Sequence, residues 1–340
     1  MLNNNIKAAV LDRVRSKLKI IENISIPDLK KGQVLVKINY TGVCRSQLYE
    51  VQGKRGKDLY LPHMLGHEAT GIVVSCGKGV KKIKPKDKVF LTWIKSKGIE
   101  APTAKFKYPN KNKKINSGRV TTFSNFSIVS ENRVVKLPKG INTKIGVLLG
   151  CALPTGAGMI LNQTNINRNS KVIIFGLGGV GLSALLAATM YKPKTLVGLD
   201  KNKFKINYLK KFFKKKIKLL SKIKNLNDFD YAIETSGSVK GIEKCISLLN
   251  EKGKCVFASH PPKDERIKLD PFDLIKGKKI EGSWGGKVNF DKHLKSLVRI
   301  LLSNKKVKEL FFKKEYKLNN INDALLDLKK GKIQRALIKV

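Results

Sequence analysis

A glycine-rich turn constrains the fold of this chain more than any other segment. Gly176, Gly178 and Gly181 form the pattern G-x-G-x-x-G directly after the apolar run 171–175, and a helix-like stretch at 180–191 follows. The first glycine permits a tight turn, the second lets a pyrophosphate approach the backbone, and the third lets the helix pack closely on the strand. Free N–H groups at the start of that helix would face the anion. The pattern therefore predicts a dinucleotide-binding unit of strand, turn and helix.

The segments on both sides of this turn differ in their periodicity. After the turn, apolar strand-like runs at 195–199, 230–234, 254–258 and 279–283 alternate with helix-like stretches at 203–215 and 239–249. This alternation is typical of a parallel sheet with helices on both faces. Before it, short strands are predicted at 6–11, 19–22, 33–41, 69–75, 88–91, 126–129 and 133–136. A helix at 321–330 and a strand at 336–340 are predicted at the C-terminal end. The chain is therefore expected to be an α/β protein with a mostly-β first part.

An acidic residue follows the glycine turn at the distance expected of a ribose ligand. Asp200 ends the next predicted strand, 19 residues beyond Gly181. A carboxylate there accepts hydrogen bonds from the ribose 2′-hydroxyl and repels a 2′-phosphate, which favours NAD over NADP. Lys201 and Lys205 weaken this preference, because either ammonium group could neutralise a phosphate.

The net charge of +45 suggests a nucleic-acid partner, but the kind of cation argues against one. Only 10 residues are arginine and 60 are lysine. Arginine supplies the planar fork that reads guanine and phosphate, so a dedicated binder should be richer in it. The lysines are also spread along the whole chain. We expect loose attraction to polyanions at low salt and no specific nucleic-acid partner.

Hydropathy and cysteine usage indicate a cytoplasmic protein with no membrane partner. No apolar run approaches the 18 residues of a membrane span, and the first thirty residues hold no apolar signal core. The five cysteines are scattered, with no closely spaced pair, which argues against a disulfide scaffold.

Several segments together resemble one known family. The chain resembles the zinc-dependent medium-chain alcohol dehydrogenases, within the medium-chain dehydrogenase/reductase superfamily, from end to end except over 94–119. The matching segments are GVCRS at 42–46, GHEATGIVVSCGKGVKKIKPKDKV at 66–89, CALPTGAG at 151–158, FGLGGVGLS at 175–183 and QRALIKV at 334–340. The resemblance implies a GroES-like, mostly-β catalytic domain built from residues 1–152 and 287–340. It also implies a Rossmann domain, a doubly wound parallel sheet, over 153–286.

The resemblance also implies a metal site. Cys44, His67 and Cys151 correspond to the ligands of the catalytic zinc, although no local spacing links them. A site with two cysteines and one histidine leaves the fourth position open to water or a substrate oxygen. Glu68 corresponds to a carboxylate behind the metal. Many members carry a second, structural zinc on four closely spaced cysteines, and the stretch 92–119 has none, so we expect one zinc per chain.

The family's proton relay maps onto the segment after Cys44. Ser46 corresponds to the hydroxyl that takes the proton of the alcohol. Tyr49 stands where many members have an outer histidine. A phenol is a weaker base than an imidazole at neutral pH, so we expect alcohol oxidation to speed up as the pH rises.

The remaining matched residues belong to the cofactor and the substrate. Arg45 and Arg335 correspond to arginines that pair with the pyrophosphate, and Thr155 to a residue beside the nicotinamide. Lys205 is counted with the cofactor residues because of its place next to Asp200. Trp93 falls where the family has an aromatic residue of the substrate pocket. His260 follows a predicted strand and either lies near the nicotinamide and the substrate pocket or is a structural loop histidine.

The expected function is reversible hydride transfer between an alcohol and NAD, giving an aldehyde or ketone, with the catalytic zinc polarising the substrate oxygen. A polyol or sugar dehydrogenase of the same superfamily is one alternative, although its third zinc ligand is commonly acidic. A zinc-free relative that binds a nucleotide or nucleic acid is the other. A homodimer or higher homo-oligomer is expected from the resemblance. The Lys-rich stretch 94–119 is expected to be a solvated, mobile excursion.

Overall fold

The computed structural model describes residues 5–213, 217–223, 225–258 and 260–340. Within these ranges the chain forms three β-sheets, of which two are mostly antiparallel and one is entirely parallel.

The first part of the chain supplies most of the two antiparallel sheets. Its strands are β1 (Asn5–Leu11), β2 (Lys19–Ser25), β3 (Gln33–Val43), β4 (His63–Met64), β5 (Glu68–Cys76), β6 (Lys88–Thr92), β7 (Lys105–Lys107), β8 (Lys114–Asn116), β9 (Phe126–Ser130) and β10 (Val134–Lys136). Its helices are α1 (Arg45–Val51), α2 (Thr143–Gly146) and α3 (Ala152–Gln163). One sheet has the order β2-β1-β4-β8-β7, and the other is built around β6, β5 and β3, with β9 also paired to β3.

The middle part forms the parallel sheet. Its strands are β11 (Lys171–Phe175), β12 (Thr195–Leu199), β13 (Ile217–Leu220), β14 (Phe229–Glu234), β15 (Leu249–Phe257) and β16 (Lys279–Gly282). Its helices are α4 (Gly179–Met190), α5 (Lys203–Leu209), α6 (Val239–Ser247) and α7 (Pro271–Ile275). The order β13-β12-β11-β14-β15-β16 is the 3-2-1-4-5-6 order of doubly wound dinucleotide-binding sheets. Four of the five residues of β11 are buried, as the interior strand of a sheet covered on both faces requires.

The last part of the chain returns to the first. Its elements are α8 (Phe290–Leu302), α9 (Val307–Phe311), α10 (Ile321–Lys329), β17 (Glu315–Lys317) and β18 (Ala336–Lys339). Strand β18 pairs antiparallel with β3, with Ala336 opposite Val43. Both ends of the chain therefore build one sheet, with the parallel sheet inserted between them. The domain limits at 152 and 286 stay predictions.

The predicted α/β class and parallel sheet are confirmed, and the structure differs from the prediction in two details of the parallel-sheet part. The helix predicted over 203–215 begins at Lys203 but ends at Leu209, and its residues 214 and 215 lie outside the described ranges. The edge strand β13 that follows was not predicted.

The stretch 94–119 is not the solvated excursion that its lysines suggested. Strands β7 and β8 pair within it and join the first sheet through β4. Phe106, Tyr108 and Ile115 are buried in a core shared with β1. The exposed lysines of the two strands alternate with buried apolar residues, which is the pattern of a half-buried strand.

No single helix in the described part of the chain is long and apolar enough to cross a membrane. A bent pair, Thr143–Gly150 with Ala152–Gln163, passes that test on length and composition only. Most residues of α3 are buried inside the molecule, where the helix packs against α4.

Candidate metal centre and dinucleotide cleft

The three predicted metal ligands stand at junctions between secondary-structure elements. Cys44 follows β3 and is the N-cap residue of α1, His67 directly precedes β5, and Cys151 directly precedes α3. Gly66 has a φ of +93°, a conformation that glycine adopts without strain, where the chain turns before His67. Because β3 and β5 are neighbours in one sheet, these junctions meet at the same place.

The ligand atoms of these residues form a compact group. Sγ of Cys44, a ring nitrogen of His67 and Sγ of Cys151 all lie within 4.8 Å of one another, and Nε2 of His67 is 3.2 Å from Sγ of Cys151. Zinc bonds of about 2.3 Å to sulfur and about 2.0 Å to nitrogen, in tetrahedral geometry, place ligand atoms roughly 3.5 Å apart. The residues therefore fit a zinc ion with one open position.

The two thiols have opposite proton affinities. A hydrogen bond with Cys151 lowers the pKa of Cys44 well below its ordinary value, and Arg335 and His67 add to this effect. The same hydrogen bond, together with burial, raises the pKa of Cys151 well above its ordinary value. A metal binds both residues as thiolates, so a proton held by either thiol must leave when the metal is bound.

Glu68 lies directly behind this group in a buried ion pair. Its carboxylate has no exposed surface, and Nε of Arg335 donates to its Oε1 at 2.8 Å, with Nη2 of the same side chain on the same oxygen. Burial raises the pKa of Glu68, and Arg335 is the largest influence that opposes the shift. Gly42 makes room for the carboxylate, because a Cβ there would lie 2.1 Å from Oε1.

Arg335 also reaches the glycine turn. A Cβ on Gly179 would lie 3.1 Å from its Nη1. The guanidinium group therefore lies between the Glu68 carboxylate and the start of α4, and its predicted pairing with a pyrophosphate stays a prediction.

The glycines of the turn differ in whether the folded chain leaves room for a side chain. Gly176 has a φ of +83°, and a Cβ on Gly181 would lie 1.8 Å from the carbonyl oxygen of Gly176. A Cβ on Gly178 would meet nothing within 4 Å. The fold itself requires the first and third glycines, whereas the second leaves open space that a bound molecule could use.

Asp200 is hydrogen-bonded to the backbone of the glycine turn and forms an ion pair with Lys205. The residue is 8% exposed, and its Oδ2 accepts hydrogen bonds from the backbone N–H of Leu177 at 3.0 Å and from Nζ of Lys205 at 2.7 Å. The carboxylate therefore stands at the end of β12 beside the turn, as the sequence predicted. Its preference for one dinucleotide over the other stays a prediction.

A cleft of about 340 Å³ brings most of the predicted residues together. The predicted site residues that line it are Cys44, Arg45, Ser46, Tyr49, His67, Trp93, Cys151, Thr155, Gly178, Lys205, His260 and Arg335. Glu68, Gly176, Gly181 and Asp200 are not in its lining. The site and the glycine turn are therefore parts of one cleft.

Several polar atoms of the cleft are free to bind another molecule. Oγ of Ser46, Oγ1 of Thr155 and Nε1 of Trp93 are buried and have no hydrogen-bond partner among the described residues. Tyr49 lines the cleft on the same helix as Ser46, and Nζ of Lys54 lies 5.5 Å from its ring centre.

Aromatic side chains line the cleft beside the metal ligands, with the ring centre of Trp93 6.4 Å from that of His67. The rings of Trp93 and Trp284 meet nearly at right angles with centres 5.0 Å apart, and His260 lies 6.2 Å from Trp284. Partial burial lowers the pKa of His260, and Arg55 lowers it further. Together these rings make a largely apolar wall near the candidate metal position.

Two family models match this chain over long segments. The alcohol dehydrogenase GroES-like domain matches residues 30–139, and the zinc-binding dehydrogenase domain matches residues 179–303. The chain belongs to the zinc-dependent medium-chain alcohol dehydrogenase family. Membership confirms the predicted GroES-like and Rossmann architecture and places the chain among oxidoreductases of the alcohol dehydrogenase type.

Individual known proteins are similar to nearly the whole chain. The S-(hydroxymethyl)glutathione dehydrogenase of Photobacterium damsela subsp. piscicida is 28% identical over 361 residues, covering 94% of this chain and 96% of the relative. The enzyme of the same name from Escherichia coli strain SMS-3-5 is 27% identical, covering 98% and 99%. Benzyl alcohol dehydrogenase from Acinetobacter calcoaceticus has the same fold, with a TM-score of 0.85 at 24% identity over 99% of both chains.

Three site residues of this alcohol dehydrogenase family member were missed by sequence reasoning. Trp284 follows β16 at the carboxyl end of the parallel sheet, where ligands of such sheets bind, so its position was a usable signal. Arg55 lines the cleft beyond α1 and pairs with Glu50 at 2.5 Å. Gln47 lies behind His67, and nothing in its sequence neighbourhood distinguishes it from an ordinary helix residue.

Proposed function

We propose that this chain is a zinc- and NAD-dependent alcohol dehydrogenase that interconverts an alcohol with an aldehyde or ketone. One observation carries the proposal: Cys44, His67 and Cys151 converge in the same cleft that Gly178 of the dinucleotide turn lines. Two relatives named S-(hydroxymethyl)glutathione dehydrogenase support alcohol-level chemistry.

The residues of the cleft divide into a metal-holding group and a proton-handling group. Zinc held by the two thiolates and the imidazole would supply a Lewis acid that polarises the substrate oxygen. Oγ of Ser46, which is buried and has no hydrogen-bond partner among the described residues, is the candidate on α1 to accept the alcohol proton. Tyr49, on the same helix, would carry that proton toward solvent.

A second group would hold the dinucleotide. The open space at Gly178 and the start of α4 suit the pyrophosphate, with Arg45 and Arg335 as its cations. Thr155, on the adjacent helix α3, would pack beside the nicotinamide, which is the hydride acceptor of the reaction. Trp93 and His260 would bound the substrate side of the same space.

Asp200 would select NAD, and this is testable. Replacing it with serine (Asp200→Ser) removes the carboxylate and leaves Lys205 unpaired beside the ribose position. We expect the ratio of kcat/KM for NAD to that for NADP to fall at least about ten-fold, because the repulsion of a 2′-phosphate becomes an attraction. Asp200→Glu serves as the matched control that keeps the charge. An unchanged ratio in Asp200→Ser would show that this carboxylate does not choose the cofactor.

The function itself is tested with the purified full-length chain. NADH and NADPH absorbance would be followed over primary, secondary and polyhydroxylated alcohols and S-(hydroxymethyl)glutathione, before and after zinc removal. We expect activity that chelation abolishes and added zinc restores. Preference for polyols would favour the polyol dehydrogenase alternative. Zinc-independent dinucleotide binding with no turnover on any substrate would contradict the proposal.

A further inference from the structure

The Gln47 side chain connects two of the three candidate metal ligands. It is 2% exposed and lies in the first turn of α1. Its Oε1 accepts the backbone N–H of Cys44 at 2.9 Å, and its Nε2 lies 2.5 Å from Nδ1 of His67. Both ends of the amide are therefore engaged in hydrogen bonds within the protein.

An amide in this position can form a hydrogen bond with only one of the two neutral tautomers of the His67 ring. Its oxygen is taken by the N–H of Cys44, so it presents N–H donors to His67, and Nδ1 must then accept. The ring hydrogen is left on Nε2, which faces Sγ of Cys151 at 3.2 Å. Nε2 is also the ring atom that points into the candidate metal position.

A metal-bound imidazole needs the opposite arrangement. When Nε2 binds a metal, the neutral ring carries its hydrogen on Nδ1 and donates it to a carboxylate, a carbonyl or water. Gln47 can accept that hydrogen only by turning its amide over. The turned amide would then direct N–H groups at the backbone N–H of Cys44, and that part-buried donor would lose its partner.

Resting on the proposed zinc function, we propose that Gln47 is a positioning residue that holds the zinc affinity of this site down. The neutral amide favours the metal-free pattern of hydrogen bonds, and loading the metal costs the hydrogen bond to Cys44. A carboxylate of the same length would accept from Cys44 and from Nδ1 of His67 at the same time. The zinc of this chain is accordingly more readily exchanged than the zinc of a site backed by a carboxylate.

The test compares zinc affinities of full-length variants by competition with a chromophoric chelator. Gln47→Glu should bind zinc about ten-fold more tightly than the wild type, since groups behind a metal-bound histidine typically change affinity 10–100-fold. Gln47→Met, of similar length but without hydrogen bonds, would leave the ring unsupported and should bind less tightly than Gln47→Glu. Gln33→Met is the matched control, because Gln33 is similarly buried but its amide is hydrogen-bonded to the backbone of Lys30 and Pro102 and not to the metal ligands.

A spectroscopic readout separates positioning from folding. In cobalt-substituted protein, Gln47→Glu should shift the thiolate and ligand-field bands while their number stays the same, because the ligands are unchanged and only the imidazole is altered. A gain in zinc affinity of five-fold or more for Gln47→Glu, with Gln33→Met unchanged, supports the inference. A smaller gain or a loss overturns it. A wild type that binds no zinc would instead remove the proposed function.

Discussion

Replacing Arg335 with glutamine (Arg335→Gln) would leave the Glu68 carboxylate buried without its cation. Glu68 has no exposed surface and Arg335 is 3% exposed, so water cannot take over the lost contacts. Removing one partner of a buried ion pair costs about 3–5 kcal/mol, whereas an exposed pair contributes about 0–1 kcal/mol. We therefore expect the free energy of unfolding to fall by about 3–5 kcal/mol.

The sign of the pH dependence follows from the same pair. Burial already raises the pKa of Glu68, and the loss of Arg335 removes the main opposing influence. A carboxyl group with a higher pKa in the folded than in the unfolded state loses stabilising free energy as the pH rises through the folded value. The deficit of Arg335→Gln should therefore be smallest in acid, near the unfolded carboxyl pKa of about 4.3, and should grow as the pH rises above that value.

Guanidinium unfolding at several pH values measures this deficit. Glu68→Gln combined with Arg335→Gln should be more stable than Arg335→Gln alone, because no buried charge remains unpaired. Lys144→Gln, which breaks the more exposed pair with Glu315, is the control and should cost less than about 1 kcal/mol. A deficit below about 1 kcal/mol for Arg335→Gln, or a double variant that loses the sum of the single losses, would refute the reasoning.

Two further predictions concern the parallel-sheet domain. Gly181→Ala should destabilise the protein and abolish dinucleotide binding, because its Cβ would lie 1.8 Å from the carbonyl oxygen of Gly176, whereas Gly178→Ala should weaken only dinucleotide binding. Calorimetry with and without NAD distinguishes the two variants. Equal unfolding temperatures for the two would contradict the prediction that the fold requires Gly181 but not Gly178. Hydrogen bonds from Lys254 and a second lysine lower the pKa of Glu281 from 4.5 to about 2, so its stabilising effect is complete above about pH 4.5 and is lost as the pH falls toward 2. Glu281→Gln should cost about 1–2 kcal/mol at neutral pH in urea unfolding, after allowance for solvent screening, and almost nothing near pH 2; a pH-independent cost would contradict the pairing.

The parallel sheet could be predicted because its signals are local. The apolar run of β11, the glycines after it and Asp200 all lie within thirty residues, and each has a separate physical reason to be where it is. The lobe at 105–116 could not be predicted as well, because lysines at the exposed positions outnumber the buried Phe106 and Ile115. The many lysines hid the alternation of exposed and buried residues that is typical of the paired strands β7 and β8.

The candidate site was accessible mainly through resemblance. Cys44, His67 and Cys151 are far apart in the sequence, and only the pairing of β3 with β5 and the start of α3 bring them together. The Glu68–Arg335 pair spans 267 positions and joins the two ends of the chain. No local pattern encodes such a contact. Gln47 was missed for the same reason, because its hydrogen-bond partner His67 lies 20 positions away in the sequence.

The most direct test of the account is X-ray absorption at the zinc edge on the purified protein. We predict one zinc per chain, with two sulfur ligands at about 2.3 Å and the remaining nitrogen or oxygen ligands at about 2.0 Å. Cys151→Ser should reduce the sulfur count to one. A zinc surrounded only by nitrogen and oxygen, or protein that takes up no zinc when it is supplied, would contradict the central claim that Cys44, His67 and Cys151 form one metal centre.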